Sequence, residues 1–252
     1  MESVSSPTER SSAAININRV IYRVARYWFM GFLFVTLVWV ILPWLAPVFM
    51  RLGWEAPAQA IYWLYSFQCH QLPQRSFFLF GPSTMYSLDQ LPLDQPDLVN
   101  PLALRQFIGN AAMGYKVAWS DRMVSAYTSI PIAAMIWFLF RKRLRPISIW
   151  IFVLLAIPMA IDGGTHMISD LAGVGQGFRT TNTWLAELTN HSLPTTFYAG
   201  NALGSFNSWM RLITGTLFGF GLMFLVLPYM GDAFQDMARS IGEKFSRADV
   251  DL

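Results

Sequence analysis

The sequence has few of the charged residues that a soluble chain of this length needs on its surface. Only 13% of its 252 residues are charged, whereas 54% are apolar. Soluble domains usually carry about 25% charged residues. The mean hydropathy is +0.38. So little charge cannot cover a water-soluble globule, and the composition therefore predicts an integral membrane protein whose first partner is the lipid bilayer.

Cysteine and the familiar catalytic motifs are also scarce. Cys69 is the single cysteine, which excludes an intramolecular disulfide and an all-cysteine metal site. The Walker loop, the Rossmann glycine fingerprint, His-Glu-x-x-His and Gly-x-Ser-x-Gly are missing. The net charge of +3 comes from basic residues that lie beside apolar runs, a pattern typical of membrane flanks, and we expect no nucleic-acid partner.

Long uncharged runs define the predicted fold. A membrane-spanning helix needs about 20 apolar residues, and we predict an all-α bundle of about four transmembrane helices. The predicted spans are residues 27–50, 123–140, 146–162 and 211–231. The chain is predicted to consist of a disordered, Ser-rich lead at 1–18, a single transmembrane domain at 19–231 and a cytoplasmic tail at 232–252.

The basic flanks predict the orientation. Arginines precede the first span, and the basic cluster 141–145 separates the second from the third. Lys and Arg are enriched in cytoplasmic loops. We therefore expect a protein of the plasma membrane with both termini in the cytoplasm. Residues 51–121 and 163–208 then form outer segments. The aromatic-rich stretch 57–80 is too polar near Cys69 for a span and is predicted to be an interfacial or re-entrant helix.

Polar residues gather near the outer ends of the predicted spans. Such residues are costly in a membrane and usually have a partner or a function. We expect Asp121 and Arg122 to form a local ion pair and Arg211 to pair with Asp162. In the second outer segment, which includes Arg179, a short helix is predicted around 182–188 with Asn182 or Thr183 as its cap. The predicted polar cluster, binding or structural, comprises Cys69, His70, Arg75, Lys116, Asp121, Arg122, Asp162 and Arg211.

Two spacings carry a more specific hypothesis. Asp162, His166 and Asp170 are four residues apart, so they share one face if the helix continues through Gly163-Gly164. A thiol, imidazoles and a carboxylate are ligands for a transition-metal ion such as zinc. The candidate metal ligands are Cys69, His70, His166 and Asp162. The alternative for the first two is a buried thiol and a hydrogen-bonded imidazole that fix a turn.

Four motifs in order resemble a known family. They are Cys69-His70-Gln71-x-Pro73-x-Arg75-Ser76, Gly114-Tyr115-Lys116-Val117-Ala118, Ile161-Asp162-Gly163-Gly164-Thr165-His166 and Arg211-Leu212-x-Thr214-Gly215-x-Leu217-Phe218-Gly219. Together they resemble the DUF2085 family of polytopic prokaryotic membrane proteins, over roughly residues 55–230. The resemblance implies that certain positions are important for structure or function. They are Cys69, His70, Arg75, Lys116, Arg122, Asp162 and Arg211. Family members often carry a further cysteine where this chain has Ser120-Asp121 before Arg122, so chemistry that needs two thiols would be lost here.

The family has no settled biochemical function, so the residues decide between hypotheses. The first is a non-catalytic membrane protein whose outer polar cluster is a binding site, or an assembly surface for a partner protein or a second copy. The second is a metal-dependent membrane enzyme or redox protein. The third is a small transporter with Asp162 and Arg211 as a charge pair on the path, which the low span count and the absence of inverted repeats disfavour.

Overall fold

The computed structural model describes residues 7–248 of the chain. Its helices are α1 (Pro7–Arg51), α2 (Glu55–Tyr65), α3 (Gln95–Val99), α4 (Pro101–Gln106), α5 (Asp121–Phe140), α6 (Ile149–Asp170), α7 (Phe178–Thr181), α8 (Thr183–Leu188), α9 (Thr195–Tyr198) and α10 (Phe206–Arg247). Its strands are β1 (Ser76–Leu79), β2 (Gly109–Asn110) and β3 (Gly114–Ser120).

Within residues 7–248, four helices are long and apolar enough to cross a membrane, namely α1, α5, α6 and α10. Large apolar side chains on them face outward: Phe34 is 69% exposed, Leu139 71% and Leu154 67%. Contiguous apolar surface of this kind marks a membrane or partner contact rather than a surface in water. The prediction of an all-α membrane bundle with about four spanning helices is confirmed.

Three helices extend beyond the predicted spans. The third spanning helix, α6, passes through Gly163-Gly164 and ends at Asp170, so the glycine pair does not break it. The first helix begins at Pro7 and occupies the described part of the lead predicted to be disordered; residues 1–6 lie outside the described part. The last helix continues to Arg247, so the described part of the predicted tail is almost entirely helical.

The spanning helices pack around α10, which contacts α1, α5 and α6. Phe29 of α1 stacks on Phe138 of α5 with ring centroids 4.2 Å apart. On the other side, Gly215 and Gly219 of α10 lie so close to α5 that an added Cβ would collide with Ser125 Oγ or Ser129 Oγ. Close helix approach through small residues is typical of membrane bundles.

Two of the three connections between these helices, from α1 to α5 and from α6 to α10, lie at one end of the bundle. The chain of α1 and of α6 runs towards this end, and the chain of α5 and of α10 runs away from it. We call residues 52–120 and 171–205 the cap. In the cap, β1, β3 and β2 form an antiparallel sheet in that order, with Ser76 opposite Ser120. The sequence did not predict this sheet, and β3 leads directly into α5.

The cap also corrects two local predictions. The helix predicted within 57–80 is limited to α2, which has 11 residues and is too short to span a membrane; the chain then turns into β1. Helix α8 is present where a helix was predicted at 182–188, with Asn182 at its N-cap. The Asn182 side chain makes no capping bond there and instead donates to the backbone oxygens of Arg179 and Tyr198.

Candidate functional site

Asp121 and Arg211 form the most deeply buried ion pair of the described residues. Asp121 is inaccessible to solvent and Arg211 is 2% exposed. Arg211 Nε donates to Asp121 Oδ1 at 2.6 Å, and its two Nη atoms donate to the side chain and the backbone oxygen of Asn201 at 2.8 Å. Ser208 Oγ donates to the second carboxylate oxygen at 3.2 Å. Both pairings predicted for these residues, Arg211 with Asp162 and Asp121 with Arg122, are therefore wrong.

Asp162 is held between two arginines from different elements. Arg122 Nη2 of α5 donates to its Oδ2 at 2.6 Å, and Arg179 Nη2 of α7 donates to its Oδ1 at 2.5 Å. Successive helix residues diverge by about 100°, so Asp121 turns to α10 while Arg122 turns to α6. Arg179 is fixed further because its backbone N–H donates to Ser169 Oγ at 3.0 Å.

The spacing of Asp162, His166 and Asp170 places them on one face, as predicted, because α6 is continuous. His166 Nε2 lies 3.3 Å from Arg179 Nη2 and 3.9 Å from Asp162 Oδ1. Asp170 accepts from Arg75 Nη2 at 2.9 Å through both carboxylate oxygens. The polar face of α6 is therefore covered by arginines from the cap and from α5.

These ion pairs form one group, which we call the arginine cluster. It comprises Arg75, Arg122, Arg179 and Arg211 with Asp121, Asp162 and Asp170. Burial lowers the pKa of the Arg179 guanidinium, Asp162 opposes that effect, and the positive charges of the other three arginines lower the pKa further. Burial likewise lowers the pKa of Arg75. The four guanidinium groups therefore act on one another, and against three carboxylates they leave one positive charge in excess.

The arginine cluster also contains donors without a partner. The Nε atoms of Arg75, Arg122 and Arg179 are buried and have no hydrogen-bond partner within the described protein. The same holds for Thr214 Oγ1 of α10. A buried donor that is left unpaired costs about 1–3 kcal/mol. The cluster therefore has both the charge and the free N–H and O–H groups to hold an anion.

Lys116 and Cys69 lie in the cap and have partners outside the arginine cluster. Lys116 is fully buried, and its Nζ donates to the backbone oxygens of Gln71 and Arg105, each at 2.7 Å. Burial lowers the pKa of Lys116 to about 7, against the opposing influence of Cys69. Cys69 Sγ lies 3.4 Å from Ser120 Oγ and accepts from the Gln71 N–H at 3.3 Å. Both residues thus hold the turn between α2 and β1 against β3.

The structure brings together five of the eight predicted polar residues. Arg75, Asp121, Arg122, Asp162 and Arg211 belong to the arginine cluster. His70 is exposed at the surface of the cap. From the sequence, Arg179 is expected in a polar outer segment but is not identified as a site residue. One sequence signal could have identified Arg179. Like Arg211, it is an arginine on the predicted outer side, where basic residues are uncommon.

The predicted metal ligands do not form a metal centre. In residues 7–248, no three His, Cys, Asp or Glu side chains are grouped so that they could hold a metal ion. Both Asp162 oxygens are occupied by arginines, and the Cys69 sulfur contacts Ser120 and Gln71. The arrangement therefore does not fit a zinc ion held by Cys69, His70, His166 and Asp162.

Two cavities border the arginine cluster. The cap cavity, about 740 Å³, is lined by residues that include Gln74, Thr180 and Asn201, and Asn201 accepts from Arg211. The lateral cavity, about 720 Å³, lies between α6, α10 and the short helices α7 and α8. Its lining residues are Ile157, Pro158, Ile161, Asp162, Thr165, Phe178, Arg179, Thr183, Trp184, Phe206, Met210 and Thr214.

Comparison with known proteins agrees with the family that the motifs indicate. Residues 111–225 match the family described as "Predicted membrane protein (DUF2085)", so the predicted resemblance is confirmed over that segment. An uncharacterised protein of Methanocaldococcus jannaschii is 29% identical over 192 residues, which cover 73% of this chain and 80% of that protein. No solved structure matches the chain.

Proposed function

We propose that this membrane protein, with its DUF2085 segment, is a binding protein that holds an anionic group, a carboxylate or a phosphate, in the arginine cluster. The observation that supports the proposal most directly is the excess of one guanidinium over the carboxylates of the arginine cluster, together with the buried, unpartnered Nε atoms of Arg75, Arg122 and Arg179. An acceptor-only, negatively charged group would offset the charge and pair with those donors.

Burial favours a small ligand over a protein partner. Asp162 is 5% exposed, Arg179 7% and Arg211 2%. A protein surface could not reach these groups without separating α5, α6 and α10, whereas a single carboxylate or phosphate could enter beside them. Arginine suits this role because its planar guanidinium stays charged and matches the oxygen geometry of both anions.

The proposal includes an orientation. With the basic loop 141–145 and both termini in the cytoplasm, the cap faces the outer side of the plasma membrane. The cap cavity would then open to the external solution, and the arginine cluster would lie where the outer leaflet meets the cap. Arg122 and Arg179, which share Asp162, would provide the donors closest to the bound anion.

The test uses protein that has been delipidated in a non-ionic detergent. Melting temperature is measured against increasing inorganic phosphate, with chloride at equal ionic strength as the reference. A ligand that binds only the folded state raises the free energy of unfolding with the logarithm of its concentration, so phosphate should stabilise the wild type more than chloride does. Arg179→Gln should lose that phosphate-specific difference.

The matched control is Arg247→Gln, because Arg247 is 82% exposed near the end of α10. It should keep the phosphate-specific rise. A folded wild type that melts at the same temperature in phosphate and in chloride would contradict the anion site.

A further inference from the structure

The lateral cavity is lined by two kinds of side chain. Most of its wall is apolar and comes from α6 and α10, including Ile157, Ile161 and Met210. Its volume of about 720 Å³ lies within the range of roughly 300–1,000 Å³ that is usual for small-molecule sites. A cavity of this composition favours a ligand with a large apolar part.

The polar part of the same cavity includes two residues of the arginine cluster, Asp162 and Arg179, and Thr214 of α10. Arg179 is 7% exposed and Thr214 4%, and both Arg179 Nε and Thr214 Oγ1 lack a hydrogen-bond partner in the described protein. The polar lining of the cavity, which also includes Thr165 and Thr183, therefore presents free donors beside the Asp162–Arg179 ion pair.

The apolar and polar parts of the cavity wall lie at different depths in the membrane, as the acyl chain and the headgroup of a lipid do. Helix α6 runs towards the cap, so Ile157 and Pro158 lie deeper in the bundle than Asp162 and Thr165. Asp162 is thirteen residues from Ile149 at the start of α6, or about 20 Å along the helix axis, which places it in the half of a membrane core about 30 Å thick that is nearest the cap. The apolar part of the cavity thus points to the bilayer centre and the charged part to the cap.

The mouth of the cavity is lateral and apolar. Ile161 is 61% exposed, Ile157 44% and Trp184 44%. Ile157 and Ile161 belong to a helix that is apolar enough to span the membrane, so their exposed faces contact acyl chains. A ligand can therefore enter between α6 and α8 from the bilayer without passing through water.

From these observations we infer that the ligand is an anionic phospholipid of the leaflet nearest the cap, with an acyl chain in the lateral cavity and its phosphate against Arg179 and Thr214. The inference rests on the proposed anion site and specifies the class of molecule that carries the anion. A phosphate oxygen accepts from Arg179 Nε and Thr214 Oγ1, and its negative charge balances the excess guanidinium. The acyl chain of the bound lipid covers the apolar wall of the cavity, so freely diffusing lipids do not contact that wall.

The experiment measures lipid selectivity in vesicles by electron paramagnetic resonance. Phosphatidylglycerol and phosphatidylcholine, each spin-labelled near the end of the same acyl chain, are compared for the motionally restricted fraction at the protein. We expect the wild type to favour phosphatidylglycerol about fivefold, as one additional charge contact at a membrane surface gives. Arg179→Gln should abolish the preference, because it removes a positive charge that favours the net-negative phosphatidylglycerol over the zwitterionic phosphatidylcholine.

A second variant tests the cavity itself. Ile161→Trp places a large ring at the mouth of the cavity and should also abolish the preference for phosphatidylglycerol. Its matched control is Leu154→Trp, since Leu154 is 67% exposed on the same helix and is not among the lining residues. That control should keep the wild-type preference, which would show that a tryptophan on α6 is harmless.

The outcomes separate the two proposals. If inorganic phosphate stabilises the detergent-purified protein but the vesicles show equal restriction of both lipids, the anion site stands and the lipid assignment is overturned. Retained selectivity in Ile161→Trp would also overturn it, because the chain would then lie elsewhere. If neither phosphate nor phosphatidylglycerol is preferred by the folded wild type, both proposals fail.

Discussion

Among single residues, Arg211 carries the largest expected effect on stability. Its guanidinium is the direct counter-charge of Asp121, which is completely buried. Arg211→Met would leave that carboxylate buried without its cation, and we expect the free energy of unfolding to fall by about 3–5 kcal/mol. Urea or thermal unfolding in detergent would measure the loss.

A control on the same helix checks that the loss comes from burial. Arg239 and Asp236 lie 3.7 Å apart, and their side chains are 62% and 73% exposed. Such surface pairs contribute little, so Arg239→Met should unfold like the wild type. An equal effect of the two substitutions would show that arginine content, rather than the buried pair, governs stability.

The lowered pKa of Lys116 predicts how the free energy of unfolding depends on pH. Its pKa in the folded protein is lowered to about 7 from an ordinary value of 10.5. Between these values the unfolded chain binds more protons at this residue than the folded chain does. The free energy of unfolding should therefore rise as the pH is raised from about 7 towards 10.5, by at most about 1.4 kcal/mol per pH unit.

The comparison that isolates this contribution is Lys116→Met against Lys244→Met, a lysine exposed on the tail of α10. Melting curves across that pH range should lose slope only in Lys116→Met. The same slope in both variants and the wild type would mean that Lys116 does not titrate as expected.

The residue scale also shows what the sequence could and could not predict. Membership of the site was largely predictable, because Arg75, Asp162 and Arg211 are ionisable groups at the ends of apolar runs, where they are costly unless paired. Their partners were not predictable, since pairing depends on which helix faces which. Asp121 and Arg122 are neighbours in sequence, yet they bind α10 and α6 respectively.

Between elements, the contact of α5 with α10 depends on glycine. An added Cβ at Gly219 would collide with Ser129 Oγ and with the backbone oxygen of Ala126. We expect Gly219→Ala to push the helices apart and destabilise the protein by about 1–3 kcal/mol, the usual cost of overpacking, as measured by the loss in melting temperature.

The matched control is Gly31→Ala in α1. Nothing lies within 4 Å of a Cβ added at Gly31, and alanine favours a helix over glycine. This variant should be at least as stable as the wild type. Equal destabilisation by both substitutions would contradict close packing as the role of Gly219.

The elements were not equally predictable. The spanning helices followed from length and hydropathy, because a bilayer imposes both. The sheet was missed because its strands are short and the Ser76–Ser120 pairing joins segments far apart in sequence. One local signal was present: Gly109 and Gly114 adopt positive φ around Asn110, and residues of this type favour hairpin turns.

For the whole molecule, the proposed orientation predicts which ends of the bundle are accessible from outside the cell. In a Cys69→Ser background, single cysteines at Asp89→Cys in the cap and Lys142→Cys in the opposite loop occupy exposed positions. A membrane-impermeant maleimide applied to intact cells should label the first, and should label the second only after permeabilisation. The reverse pattern would place the cap in the cytoplasm.

The length of α5 has a consequence for the membrane around the protein. Its 20 residues extend about 30 Å, which equals the thickness of an average hydrocarbon core. Its first residue is tied to α10 by the Asp121–Arg211 pair, and Arg141, directly after its end, lies over the Phe138 ring. In a thicker bilayer the buried pair would be drawn into hydrocarbon, so the lipid must thin locally, at a cost of fractions of a kcal/mol per Å. The fixed length of helix α5 therefore sets the bilayer thickness that the protein matches without distorting the lipid.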